Sequence, residues 1–245
     1  MTGLPGRLDF ADAGEAADLA AFLARLIHYD RAAAVRLQAR SDGAAEQSLA
    51  VFGRPPSFEV LAVRSARLAA PVELDITVSA GELLESIDES GAAATVPAPV
   101  TGPPWAGLLP PRSGWQQLPG LPPPAALHSA VAAVVAEFRV RTEELPAEQR
   151  TRAELDRIGR EIWSRPVGGS ALPVRAAHAA QSLGFLRAVR VAVPDLSAGT
   201  GDPGPYTLLG AGSWLRLRTP YGSTAVRAAS ALGGLSVTPA QAPRR

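Results

Sequence analysis

Glu85, Asp88 and Glu89 are the densest acidic group of the chain, at i, i+3 and i+4, a spacing that puts three carboxylates on one helix face. Paired carboxylates can run hydrolysis with no other catalytic side chain. On a short helix leading into a polar linker, the same spacing describes a solvated face. His28-Tyr29-Asp30 sets a base beside an acid, but a helix-like pattern ends there. Histidine at that end complements the negative pole of the helix dipole, and Asp30 opens a turn. His128 and His178 have no His or acid at metal spacing on the same face, and the three histidines form no HExxH. Gly199-Thr200-Gly201-Asp202-Pro203-Gly204 matches the dinucleotide fingerprint GxGxxG letter for letter. That motif works through a helix that begins within it, whereas Asp202-Pro203-Gly204-Pro205 starts none. Gly168-Gly169-Ser170 and Gly212-Ser213-Trp214 lack the strand-turn-helix setting of a nucleophile elbow. No catalytic residue, metal site or cofactor is assigned on these grounds.

Two absences narrow the chemistry further. The chain has no cysteine, which excludes disulfides, thiol nucleophiles and thiolate metal sites. It has no lysine either, which excludes the P-loop lysine and Schiff-base chemistry. Heavy use of Ala, Arg, Gly and Pro without Lys suggests a GC-rich coding sequence. No run approaches the length of about 18 apolar residues that a membrane span needs, and the opening MTGLPGRLDFADAGE lacks a basic start followed by an apolar run. A soluble, cytoplasmic protein is the reading.

Several elements must position whatever function remains. Asp12 with Glu15 caps a helix to about Ile27, with Leu19, Phe22, Leu23, Leu26 and Ile27 on one stripe. The period then becomes two: Val35, Leu37 and Ala39 alternate with Arg36, Gln38 and Arg40, and Asp42-Gly43 marks a turn. Leu49 to Phe52 and Phe58 to Val63 flank Arg54-Pro55-Pro56 as a hairpin, and Val72, Leu74, Ile76 and Val78 make a fourth strand. Ser79 with Glu82 opens a short helix. The first part therefore reads as helix, four-stranded antiparallel meander, helix.

Beyond it, Pro124 opens a helix to about Glu144, Thr151 with Glu154 caps a second that Pro166 ends, and Pro173 opens a third to about Leu183. Arg187 to Val193 reads as a strand and Pro194 to Gly212 as a Gly/Pro/Ser loop. Trp214 to Thr219 and Ser223 to Arg227 form a hairpin about Pro220-Tyr221-Gly222.

Between the two parts lies VPAPVTGPPWAGLLPPRSGWQQLPGLPPP, residues 96–124, in which ten of twenty-nine residues are proline. Neither a helix interior nor a central strand can run through it. Trp105 and Trp115 argue against a plain spacer and for an interaction strap lying on a folded surface. The strap also separates opposite charge. Residues 1–124 hold 9 Arg and 14 acids, a net of −5, and residues 125–245 hold 15 Arg and 9 acids, a net of +6. The organisation expected is an acidic α+β domain (1–95), the strap (96–124), a basic helical domain with a C-terminal hairpin (125–228) and a disordered tail (229–245). The two charged halves could attract each other and mask the basic surface.

RLDFADAGEAADLAAFLARLIHYDRAAAVRLQAR, VTGPPWAGLLPPRSGW and WLRLRTPYGSTAVR resemble segments of an uncharacterised protein family of GC-rich actinobacteria. That resemblance covers most of the chain and brings no activity with it. Three helices followed by a hairpin, with HAAQSLGFL closing the third helix, resemble a winged helix over residues 125–228. The resemblance implies a third helix in the DNA major groove, with Arg175, His178 and Ser182 on its outer face, and Arg216 and Arg218 of the hairpin on phosphates.

The function expected is that of a non-enzymatic binding or regulatory protein acting through contacts with an unidentified protein partner, with DNA binding by residues 125–228 as the alternative. An enzyme would instead show a deep pocket gathering carboxylates or a histidine from distant parts of the chain.

Overall fold

The structure is a computed structural model of the 245-residue chain and describes residues 6–40, 47–56, 59–187 and 206–228. The helix boundaries follow the capping residues. In α1 (Ala13–Tyr29) the Asp12 carboxylate accepts from the Glu15 amide at 3.0 Å, while the Glu15 carboxylate reaches across to Arg64 and Arg67. In α2 (Ala80–Glu85) Ser79 Oγ accepts from the Glu82 amide. α3 (Pro124–Glu143) takes proline as its first residue, where a missing N–H costs nothing. Thr151 caps α4 (Arg152–Trp163), and α5 (Val174–Ser182) follows Pro173. No helix among the described residues is long and apolar enough to cross a membrane.

The strands are β1 (Arg7–Asp9), β2 (Ala34–Ala39), β3 (Ser48–Gly53), β4 (Leu61–Arg67), β5 (Leu74–Ser79), β6 (Ile87–Asp88), β7 (Ala93–Thr95), β8 (Gln116–Gln117), β9 (Thr207–Ala211), β10 (Trp214–Thr219) and β11 (Gly222–Arg227). The mixed α+β character holds, but the expected four-stranded N-terminal sheet does not. An eight-stranded sheet runs in the order β5-β2-β3-β4-β11-β10-β9-β8, beside a three-stranded sheet β1-β7-β6. β5 leaves the meander and pairs with β2, the order of a Greek key, so the edge of β4 is open to a strand from elsewhere. β11 takes that edge, with Val63 opposite Ser223 and Leu61 opposite Ala225. An unpaired strand edge inside a fold leaves a row of unsatisfied amides and carbonyls, and this pairing removes it.

The C-terminal hairpin is therefore paired on both sides, β11 with β4 and β10 with β9, and forms the interior of a sheet rather than a projecting wing. Two boundaries also move. The strand expected from Phe58 starts at Leu61, because Glu59 sits at φ 51°, a left-handed conformation that strand residues do not adopt. Thr207–Ala211, expected within a loop, is β9, with Leu208 buried. The turn at Asp42-Gly43, most of the strand expected at residues 187–193, the GxGxxG stretch and the C-terminal tail lie outside the described residues.

One hydrophobic cluster serves both halves of the chain. Leu19, Phe22, Leu23 and Leu26 of α1, Leu83 of α2, Leu127 and Val131 of α3 and the alanines of α5 cover one sheet face made by Val35, Leu37, Val51, Ala62, Leu208, Leu217 and Val226. Each such leucine contributes about 1.5–3 kcal/mol. Contact between the halves is mainly apolar, and among the described residues a single ion pair, Arg187 to Asp18 at 3.1 Å, crosses between them.

α4 packs outside this layer on α3, through Phe138 against Trp163 and a four-residue ion cluster. Glu161 lies 2.8 Å from Arg141 and 3.0 Å from Arg165, whose other partner is Glu137 at 2.7 Å. Hydrogen bonds from Arg141, then Arg165, hold the Glu161 carboxyl at about 2, well below its ordinary 4.5. A folded-state value below the unfolded one contributes stability that is present above about pH 4.5 and lost as pH falls towards 2. Carboxyl NMR of the full chain should accordingly place the Glu161 midpoint near 2, and Arg141→Gln should move it upward.

Candidate functional site

The period-two pattern of each strand sends one set of side chains into the core and the other to a face that carries no α-helix among the described residues. On that face the register aligns Asp75 of β5, Gln38 of β2, Ala50 of β3 and Ser65 of β4, with Arg36, Phe52, Val63, Ser223 and Arg218 in the neighbouring row. Arg216 and Trp214 project from β10 on the same side. The proline-rich segment crosses this face from edge to edge. It starts at the outer edge, where the Val100 amide donates to the Thr77 carbonyl at 2.9 Å. It passes over β2, where Arg36 Nη1 donates to the Ala106 carbonyl in the 3-10 turn Pro104–Gly107. It then ends as β8 on the opposite edge, with the Leu118 amide on the Leu208 carbonyl at 2.8 Å. Gly120 allows the exit: at φ 88° it runs so close to Gly169 that a Cβ would lie 2.4 Å from that carbonyl oxygen.

The strap roofs a groove of about 550 Å³. Its floor is Arg36, Gln38, Ser48, Ser65 and Phe52, its roof Leu109 to Arg112, and Arg216 closes one end. Arg40, also lining it, brings the guanidinium groups to four, and among the described residues no carboxylate lines the groove. One of the four is neutralised: Arg36 grips Asp75 at 2.7 and 3.0 Å, holding that carboxyl below its ordinary range. Gln38 extends the array, donating to Asp75 at 3.1 Å and accepting from Arg112 at 3.3 Å.

Arg216 is the exception among the four. Its Nε donates to Ser223 Oγ at 2.8 Å, and its guanidinium carbon lies 5.7 Å from the Trp115 ring. Burial, then the neighbouring Arg218, lower its affinity for the proton relative to a solvated guanidinium. Arginine nevertheless stays charged in proteins. Arg216 is half-buried and has no carboxylate within ion-pair distance among the described residues, an arrangement whose chemistry suits an external anion.

Of the residues expected to read DNA, the structure brings Arg216 and Arg218 onto one face, Arg218 exposed beside the groove. Arg175, at the start of α5, lines a different cavity with Trp105. His178 stacks on Trp163, centroids 4.7 Å apart and 12° from parallel, and burial pushes its imidazole below the ordinary value of 6.5. Ser182 is half-buried at the far end of α5 beside Arg25 and His28. Ala176, Ala177, Ala179 and Ala180 of α5 are all buried, and Thr224 of β11 donates to the Ala176 carbonyl. Trp115 donates to the Pro111 carbonyl at 2.9 Å and backs Arg216.

Two of the other sequence candidates serve turns. Asp88 accepts from Ser90 and from the Gly91 amide, and Asp30 accepts from the Ala32 amide. The groove residues that sequence reasoning passed over are Arg36, Gln38, Arg40 and Arg112. The alternation of the first three was legible, but a strand face rich in arginine reads as solvated until a roof is seen above it.

Residues 4–107 match the family model of a domain of unknown function (DUF8010), and residues 110–231 match that of a second (DUF8185). No curated protein matches the chain, and no solved structure matches it. The seam between the two matched spans falls in the strap. Arg36, Arg40, Ser48 and Ser65 come from the first domain and Arg112 and Arg216 from the second, so the groove is built at their junction.

Proposed function

We propose that this chain, which joins two domains of unknown function, is a non-enzymatic binding protein that takes an acidic protein segment into the arginine groove beneath its strap. The carrying observation is Arg216, half-buried beside Trp115 at the end of the groove, where among the described residues it has no acidic partner and no carboxylate lines the wall. Cavities between domains are common binding sites, and this one lies within the usual volume range of about 300–1,000 Å³. An extended acidic segment suits it because the guanidinium groups come from separate strands and from the strap, and so meet several carboxylates rather than one.

The test is fluorescence anisotropy of a labelled hexaglutamate peptide against the full chain, beginning at about 50 mM salt, where screening is weak. Saturable binding is expected, weakened roughly tenfold or more in an Arg112→Gln/Arg216→Gln variant whose circular dichroism is unchanged. No binding at that salt concentration would overturn the proposal. DNA binding through residues 125–228 is the second reading, favoured by the exposed Arg218 next to Arg216. It replaces the first if a labelled duplex binds more tightly than the peptide and the steep salt slope flattens in Arg216→Ala/Arg218→Ala.

A further inference from the structure

On the other side of the strap from the groove lies a second cavity, of about 360 Å³, with a different chemistry. Its lining is mainly apolar and aromatic. Trp105, in the 3-10 turn of the strap, contributes from one side, and Trp214, the first residue of β10, from the sheet. Leu108, 58 % exposed, stands at its rim. Three guanidinium groups, of Arg54, Arg175 and Arg227, reach it from different parts of the chain. Arg227 of β11 is the cross-strand neighbour of Trp214 and lies 5.2 Å from the indole centroid, an arrangement that orients the cation along the aromatic wall.

Arg175 is the informative residue. Among the described residues its Nε is buried and has no hydrogen-bond partner. A buried donor left unmade is costly, and native structures rarely keep one without a ligand, water or ion to satisfy it. The guanidinium's terminal nitrogens match the two oxygens of a carboxylate, and with the Nε edge buried it is these that a ligand in the cavity meets. Arg54 also lines the cavity and adds to its positive character. Glu59 lines it too and pairs with none of these arginines at ion-pair distance, so a doubly charged phosphate faces a repulsion that a monocarboxylate meets only once.

We propose that this cavity binds a small aromatic carboxylic acid, its carboxylate on Arg175 and its ring system against Trp105 and Trp214. The site differs from the groove in ligand size and polarity and shares none of its arginines. Because Trp105 belongs to the strap, an occupant also ties the strap to the sheet on this side.

The experiment is calorimetric titration of the full chain with 2-naphthoate and, in parallel, with 2-naphthamide, its uncharged counterpart. Naphthoate should saturate with a dissociation constant under about 1 mM, and the amide should bind at least roughly tenfold more weakly. Arg175→Gln should weaken naphthoate by roughly tenfold or more, and Trp105→Leu should do likewise. Should Arg175→Gln fail to fold, Trp105→Leu carries the test, since the strap turn lies outside the main core. Absence of saturable binding, equal affinity for acid and amide, or naphthoate binding that survives the folded variants unchanged would each overturn the proposal.

Discussion

Arg64→Ala is expected to lower the stability of the whole chain by about 3 kcal/mol, the lower end of what breaking a buried ion pair costs. Arg64 sits on the helix-facing side of β4 with 7 % of its side chain exposed. Its Nη2 lies 3.3 Å from Glu15 and 3.2 Å from Asp18 of α1, and its Nη1 donates to the Tyr221 carbonyl in the C-terminal hairpin at 3.0 Å. Removal takes one partner from each of two carboxylates and the guanidinium donor from one carbonyl. The loss is moderated because Arg67 still holds Glu15 at 2.7 Å and Arg187 still holds Asp18 at 3.1 Å. Arg64 Nε has no partner, so the site is not fully satisfied even in the native chain. Arg64→Met, which keeps the volume, should therefore cost less than Arg64→Ala.

Urea unfolding followed by far-UV circular dichroism measures this effect. The midpoint should fall at constant slope, in one transition for both proteins, because β4 and β11 share a ladder and the two halves share a core. Two separate transitions would mean that the junction contributes little to cooperativity, contrary to the sheet continuity seen here.

Gly222→Ala should cost about 4 kcal/mol, combining backbone strain with overpacking. Gly222 closes the Pro220-Tyr221 hairpin opposite Thr219 and has φ 147°, where an L side chain is strained. A Cβ there would lie 2.6 Å from Phe185 Cε1 and 2.7 Å from its Cζ. Phe185 cannot yield easily, being 2 % exposed and stacked on Phe22 of α1 at 5.6 Å. The steric part can be separated from the strain by combining Gly222→Ala with Phe185→Leu. A favourable coupling of about 1–2 kcal/mol is expected between them, and zero coupling would assign the whole cost to the backbone. Either result bears on function, since the same hairpin presents Arg216 and Trp214 to the two cavities.

The helix starts were legible one by one: Asp12, Ser79 and Thr151 each accept the amide of the residue three positions on. So was the 214–227 hairpin, whose turn joins two alternating segments. β9 was not, because Thr207–Ala211 is short and bordered by Gly/Pro-rich sequence, and its strand character comes from pairing with β10 and β8. The candidate site was least legible. The local sequence marks Arg216 only as one of a row of phosphate contacts and gives Arg36, Arg40 and Arg112 no role. An arginine on a strand has the same local pattern whether it faces bulk water or the underside of a strap.

Local sequence thus determined the helices and their caps, the inward and outward sets on most strands, and a proline-rich segment unable to become helix or central strand. Those properties depend on neighbours within a turn or a pleat. Only the tertiary structure decided that β5 crosses to β2, that β11 fills the vacated edge of β4, and that the strap spans the helix-free face to bring Arg112 over Gln38. These choices pair residues far apart in the chain, as Arg64 and Tyr221 are, and rest on which sheet edge and which apolar face remain uncovered after the local elements form.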